Sequence, residues 1–165
     1  MKDSLEARLA KLEGAIAQMQ DERAIRDLIA RYAINTDAGR LEEFLAVWTE
    51  DGIEEIEFQG KVLRWAGKSE IRAWRTGLLE QKRAQPNNRM HVHGNDLIIH
   101  INGSEATANS YTFGLGLEAG KVSVTSHGAV RWTFRKINGQ WLIKEKKVRE
   151  MNSAEFRELL AATPR

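Results

Sequence analysis

Between residues 90 and 137 the chain alternates apolar and polar side chains along three long stretches, 90–101, 105–118 and 121–137, and QWLIKEKKVREM supplies a fourth. Asn102-Gly103 and Asn138-Gly139 stand between them, with Ala119-Gly120 as a third turn. Asn-Gly accepts the positive φ that a tight hairpin demands, so the pattern predicts a meander of long antiparallel strands. Glycines inside these strands (Gly94, Gly114, Gly116 and Gly128) mark bulges and bends. A long sheet with one apolar face needs a cover, and the preceding half of the chain must provide it.

That half reads as helical. Leu5, Leu9, Leu12, Ile16 and Met19 form a narrow seam that has to meet either the chain's own body or a second subunit. Asp21 is expected to cap a second helix, with Ile25, Leu28, Ile29 and Tyr32 on its inner face. TDAG at 36–39 interrupts it, and a third helix carries Leu41, Phe44, Leu45 and Trp48. A hairpin turning at Gln59-Gly60 follows, then a helix bearing Ile71, Trp74 and Leu78 that stops before QPNN at 85–88. NSAEFRELLAA closes the chain as a short helix, with Asn152 and Glu155 spaced as a capping box. Helices first and a strand meander second give an α+β layout. The expected form is a cone, a curved and mostly antiparallel sheet closed by N-terminal helices around an apolar pocket. Residues 1–20 are expected as a separate amphipathic helix and 21–165 as the domain proper.

Composition narrows the function. Twenty-five basic and 23 acidic residues leave a net charge of +2, evenly spread, which argues against a nucleic-acid surface. There is no cysteine, hence no disulfide, thiol nucleophile or Cys-based metal site, and a reducing cytoplasm is the expected setting. No apolar run reaches the ~20 residues that cross a bilayer, and the charged opening MKDSLEARLAKLEG is not a secretory pattern.

The chemistry concentrates at MHVHGN, 90–95. By strand alternation His91, His93, Asn95, Leu97, Ile99 and Ile101 share the inner face, while His100 faces out. Tyr111, Phe113, Leu115 and Leu117 are expected to line the same cavity, with Trp48, His93 and Asn95 as further substrate contacts. A neutral imidazole can take and return a proton when a carboxylate orients its second nitrogen. Asp37, at the helix break, is placed to do that, and Tyr32 to bring a phenol to a substrate oxygen. Each has a plainer reading: Asp37 as a helix cap, Tyr32 as core, His93 as a strand hydrogen bond. His127 falls on the outward parity unless a bulge near Gly128 switches it, and stands as a secondary catalytic candidate. His-x-His without a placed third ligand is a weak metal signal, and no metal or cofactor is expected.

ERAIRDLIARYAINTDAGRLEEFLAVWTEDG resembles the opening of SnoaL-like domains of the nuclear transport factor 2-like superfamily, with Tyr32, Asp37 and Trp48-Thr49-Glu50-Asp51 at the matching places. HVHGN is similar to the family's H-x-x-x-N, which selects His91, and HGAVRWTFRKINGQWLIKEKKV to its last hairpin. Within the family the pattern is most similar to the bile acid dehydratases, and more distantly to scytalone dehydratases, whose second histidine falls near His127. SYTFGLGLEAG lacks an acidic residue where the bile acid enzymes carry one, so their substrate does not transfer. The resemblance implies a cofactor-free lyase or isomerase acting on a small apolar carbonyl metabolite (polyketide, steroid, terpenoid or aromatic). It also implies a homo-oligomer, a trimer before a dimer. The alternative is a non-catalytic binding or accessory domain, like the small subunit of ring-hydroxylating dioxygenases. Fold analogy alone does not choose between them.

Overall fold

A computed structural model describes residues 4–84, 88–93, 96–118 and 120–161. Helix α1, Leu5–Asp37, is continuous over 33 residues and opens at Ser4, whose side chain accepts from the Ala7 N–H. The expected helix start at residue 21 is therefore absent. Asp21 serves the tertiary structure instead, accepting from Lys136 Nζ at 2.7 Å and Trp141 Nε1 at 2.9 Å. Leu5, Leu9, Leu12, Ile16 and Met19 all stay exposed, so the seam is covered by none of the described residues. The second half of α1 buries Ile25, Leu28, Ile29, Tyr32 and Ala33.

The short helix α2, Leu41–Ala46, is followed by strand β1, Trp48–Phe58, so Trp48 begins a strand and does not end a helix. Strand β2, Lys61–Ala66, completes the hairpin through Gln59 and Gly60, both at positive φ. Helix α3, Lys68–Ala84, lays Trp74 flat on Trp65 of β2, with ring centroids 3.7 Å apart.

The meander is present with one change. The stretch expected as a single strand from 90 to 101 forms two, β3, Asn88–His93, and β4, Ile98–Asn102, both antiparallel to β5, Glu105–Glu118. Strands β6, Lys121–Ile137, and β7, Gln140–Glu150, follow, and helix α4, Glu155–Ala161, packs against β6 and β7. The seven strands run β2-β1-β7-β6-β5-β3, with β4 also on β5, and among the described residues β1 and β7 alone pair in parallel. The result is a curved, unclosed sheet with α1, α2 and α3 over its inner face, an α+β fold.

Two irregularities set which residues face inward. The β5–β6 register shifts between Gly114 and Leu115, leaving Thr125 unpaired, so Val122 and Val124 share the outer face while Val130, Trp132 and Phe134 turn inward. The second shift, between Thr133 and Phe134, turns Lys146 of β7 toward the core. Gly128 lets β6 approach β7, since a Cβ there would stand 2.2 Å from the Arg149 carbonyl oxygen. The core is aromatic: Tyr32, Phe44, Trp48, Trp132 and Phe134 are all fully buried.

Candidate active site

Asp37 is the last residue of α1, and His91 lies on the edge strand β3. The carboxylate holds the histidine at two points. Its Oδ1 lies 2.5 Å from His91 Nδ1, and its Oδ2 accepts the His91 backbone N–H at 2.8 Å. An open strand edge presents unpaired N–H groups, and here a side chain from the covering helix takes one of them. A carboxylate at a helix C-terminus opposes the helix dipole, at a cost of about 0.3–1 kcal/mol, so its placement is explained by the bonds it makes and not by the helix. The capping reading of Asp37 fails, because α2 starts at Arg40 without a side-chain cap. Both side chains keep partial solvent contact, 33% for His91 and 21% for Asp37. With Nδ1 on the carboxylate, Nε2 is the ring atom directed away from it.

Tyr32 lies in a place the sequence reading did not foresee. Its hydroxyl donates to Glu54 Oε1 at 2.5 Å and accepts from Arg75 Nη2 at 2.8 Å and Lys146 Nζ at 2.5 Å. One donor and two acceptor sites are thus all used. Arg75 and Lys146 also bond Glu54 Oε1, at 3.1 and 3.2 Å. Glu54 faces Lys146 across the parallel β1–β7 pairing, and Arg75 comes from α3. The guanidinium carbon stands 4.5 Å from the Phe44 ring centre and 4.1 Å from that of Trp74, and Lys146 Nζ stands 4.4 Å from that of Tyr32.

Burial shapes the titration of this cluster. Burial pushes the Glu54 carboxyl up, but the charges of Arg75 and Lys146 outweigh it and hold it below its usual range. Burial lowers the Lys146 ammonium to about 8 against the pull of Glu54. Tyr32 is raised well above its ordinary value, first by burial and then by the Glu54 charge. The phenol expected to meet substrate is therefore a buried, saturated member of an ionic cluster.

His93, two residues along β3 from His91, points to the same face. Its ring centre lies 5.5 Å from that of Tyr32 and 5.2 Å from that of Trp132, edge-on in both cases. Neither ring nitrogen has a hydrogen-bond partner among the described residues. Burial and the nearby charges of Lys146, His91 and Arg75 lower it to about 2, so it is neutral at physiological pH.

The other candidates are placed as follows. Tyr111, Phe113 and Leu117 are each more than 40% exposed, and the β3–β5–β6 registers place them and Leu115 on the outer face beside Met90, Val92 and Val124. The inner face of β5 is Ala106, Ala108, Ser110 and Thr112. The reason is volume: the rings of Tyr32, His93 and Trp132 occupy the interior and leave β5 room only for small side chains. His127 pairs with Phe113 on the outer face, because the bulge falls at Thr125 and not at Gly128. Trp48 is fully buried core, packed on Tyr32 and Phe44, and Asn95 lies outside the described residues. A groove of ≈ 700 Å³ runs along α1 and α2 by the β6–β7 turn, lined by residues including Arg31, Asn35, Arg40 and Trp141, apart from the Asp37–His91 pair.

Glu54, Arg75 and Lys146 escaped the sequence reading. The available signal was parity: Glu54 and Lys146 sit two residues before Ile56 and Val148, which share the inner face. Two opposite charges on core-facing positions of two strands imply a buried pair.

Comparison with known proteins agrees with this architecture. No curated protein matches the chain. Among solved structures, a nuclear transport factor 2-like protein with a cystatin-like fold from Novosphingobium aromaticivorans superposes with a TM-score of 0.80 at 28% identity, over 97% of this chain and 99% of the other. A candidate scytalone dehydratase from the same organism gives 0.68 at 18% identity, over 83% and 88% of the two chains. A candidate aromatic ring hydroxylase, also from Novosphingobium aromaticivorans, gives 0.66 at 21%, over 82% and 92%. The last two likenesses concern fold alone. The SnoaL-like domain model matches residues 17–147, most of the chain, and the protein belongs to the SnoaL-like domain family.

Proposed function

We propose that the protein is a cofactor-independent lyase or isomerase that moves a proton on a small, largely apolar carbonyl compound. The observation that carries this is the double hold of Asp37 on His91. A carboxylate that fixes both ring and backbone sets the tautomer, with Nδ1–H toward Asp37 and Nε2 unprotonated and ready to accept. His91 Nε2 removes a proton from carbon next to the carbonyl, and the C–H electron pair flows to the carbonyl oxygen as an enolate. The proton then returns to another carbon in isomerisation, or to a departing hydroxyl, which leaves as water. Aromatic walls around the buried cluster keep the local dielectric low, which strengthens the few polar contacts available.

The test is deuterium uptake from D2O, followed by mass spectrometry, into a panel of cyclic enones and β-hydroxy ketones. Exchange or dehydration by the native protein, lost in His91→Ala, is the expected result. A panel left unchanged by the native protein, or exchanged equally by His91→Ala, removes the proposal.

The second reading, a non-catalytic or accessory domain, has one observation in its favour. Met90, Tyr111, Phe113, Leu117, Val122 and Val124 form an exposed apolar sheet face, and such a face suits association. We assign it to a homo-oligomer, a trimer before a dimer, checked by light scattering of the native chain and of Phe113→Lys.

A further inference from the structure

His91 and His93 are alike in sequence context and opposite in environment. His91 has a carboxylate on its ring. His93 has cations near it, and both its ring nitrogens are buried without a hydrogen-bond partner among the described residues. Beside it, one carboxylate, Glu54, faces two cations, Arg75 and Lys146, so the cluster carries one positive charge in excess while Tyr32 is neutral. Arg75 Nε, too, is buried without a partner among the described residues. A ring already held by a carboxylate and a ring whose nitrogens are left without a protein acceptor are suited to different chemical roles.

We propose that His93 is the electrophilic hydrogen-bond donor of the site: its neutral ring N–H binds the carbonyl oxygen of an enolisable ketone or thioester whose adjacent carbon faces His91. This rests on the proton-transfer reading and adds the group that holds the developing oxyanion. Residues two apart on a strand lie about 7 Å from each other. A carbonyl oxygen on one ring, at ~2.6–3.2 Å, and its neighbouring carbon on the other span that gap. As His91 takes the proton, negative charge grows on oxygen against the His93 N–H, and the excess positive charge behind it favours that growth. No proton leaves His93: the enolate stays hydrogen-bonded, and the proton held by His91 goes back to carbon or out with the leaving hydroxyl. A substrate with its own carboxylate at the reacting carbonyl gains less, because its charge precedes the reaction and is not developed by it.

The probe is 4-nitrophenol, whose ionised form is a coloured, stable stand-in for an enolate. The native protein is expected to bind it and to ionise it at a pH where it stays protonated in water. The ¹⁵N resonances of His93 should shift on binding and should report a neutral ring between pH 5 and 8 in the free protein. His93→Phe should weaken binding at least tenfold, His93→Gln, which restores an N–H donor, should recover part of it, and the exposed His100→Gln should match the native protein. Absence of binding, equal binding by native and His93→Phe proteins, or a protonated His93 near neutral pH each overturn the proposal. The resonances of the native protein decide the matter even where His93→Phe does not fold. His91→Ala separates this test from the preceding one, since it stops exchange but leaves nitrophenolate bound.

Discussion

Asp37 reaches His91 from the end of the longest helix to the edge of the sheet, and one carboxylate fixes the imidazole and the backbone that bears it. Orientation of the ring and docking of β3 on α1 are therefore one interaction. Asp37→Asn keeps the shape but can present only one carbonyl oxygen to two donors, and its amide favours the wrong imidazole tautomer. Activity is expected to fall by ~10²–10⁴-fold in Asp37→Asn and in His91→Ala. Only Asp37→Asn should also loosen β3, read as faster amide hydrogen exchange at His91.

The Glu54 cluster should behave as a stability element. Glu54→Ala leaves Arg75 and Lys146 buried without their counter-charge, and removing one partner of such a set costs about 3–5 kcal/mol. Exchanging Glu54, Arg75 and Lys146 together for Gln, Met and Met should cost much less, because no unpaired charge remains. Urea denaturation of the two variants measures the difference.

Acid should destabilise the protein through His93. Its ring is lowered to about 2 when folded, against 6.5 as the ordinary value. Between those values the unfolded chain binds a proton that the folded chain refuses, so stability falls as pH drops below 6.5. The limiting slope is about 1.4 kcal/mol per pH unit. The stability difference between pH 7 and pH 5.5 should be smaller in His93→Phe, with Glu54 adding its own loss only at lower pH, since its folded value is depressed.

Two glycine replacements should act in opposite directions. Gly128→Ala sets a Cβ against the Arg149 carbonyl oxygen, backbone that cannot move aside without parting β6 from β7. Gly14→Ala, inside α1 with nothing within 4 Å, relieves a helix-interior glycine of about 0.5–1 kcal/mol. Melting temperatures should fall in the first and rise in the second.

The Asp37–His91 meeting was legible because two local signals converge on it. TDAG breaks a helix, and alternation along MHVH assigns both histidines to the face carrying Ile99 and Ile101. The facing of β5 was misread for a reason that alternation cannot reveal. Tyr111, Phe113 and Leu115 look like an interior row, yet Ala106, Ala108, Ser110 and Thr112 are inside because rings from α1, β3 and β6 already fill that volume. Glu54 and Lys146 escaped the sequence reading, since they lie 92 residues apart and meet only through the parallel β1–β7 pairing.

Sequence by itself determined what depends on neighbours along the chain: the helical first half, the Asn-Gly turns, the strand meander, and a carboxylate and an imidazole held at a helix end and a strand start. Only the tertiary structure decided what depends on competition for interior space and on charges brought together from distant strands. It moved Tyr32 from substrate contact to a saturated ionic cluster, turned Tyr111, Phe113 and Leu115 of β5 to the outer face, and gave His91 and His93 opposite surroundings. A residue's periodicity states which face it occupies; the volume and charge already on that face, contributed by the rest of the chain, state what it can do there.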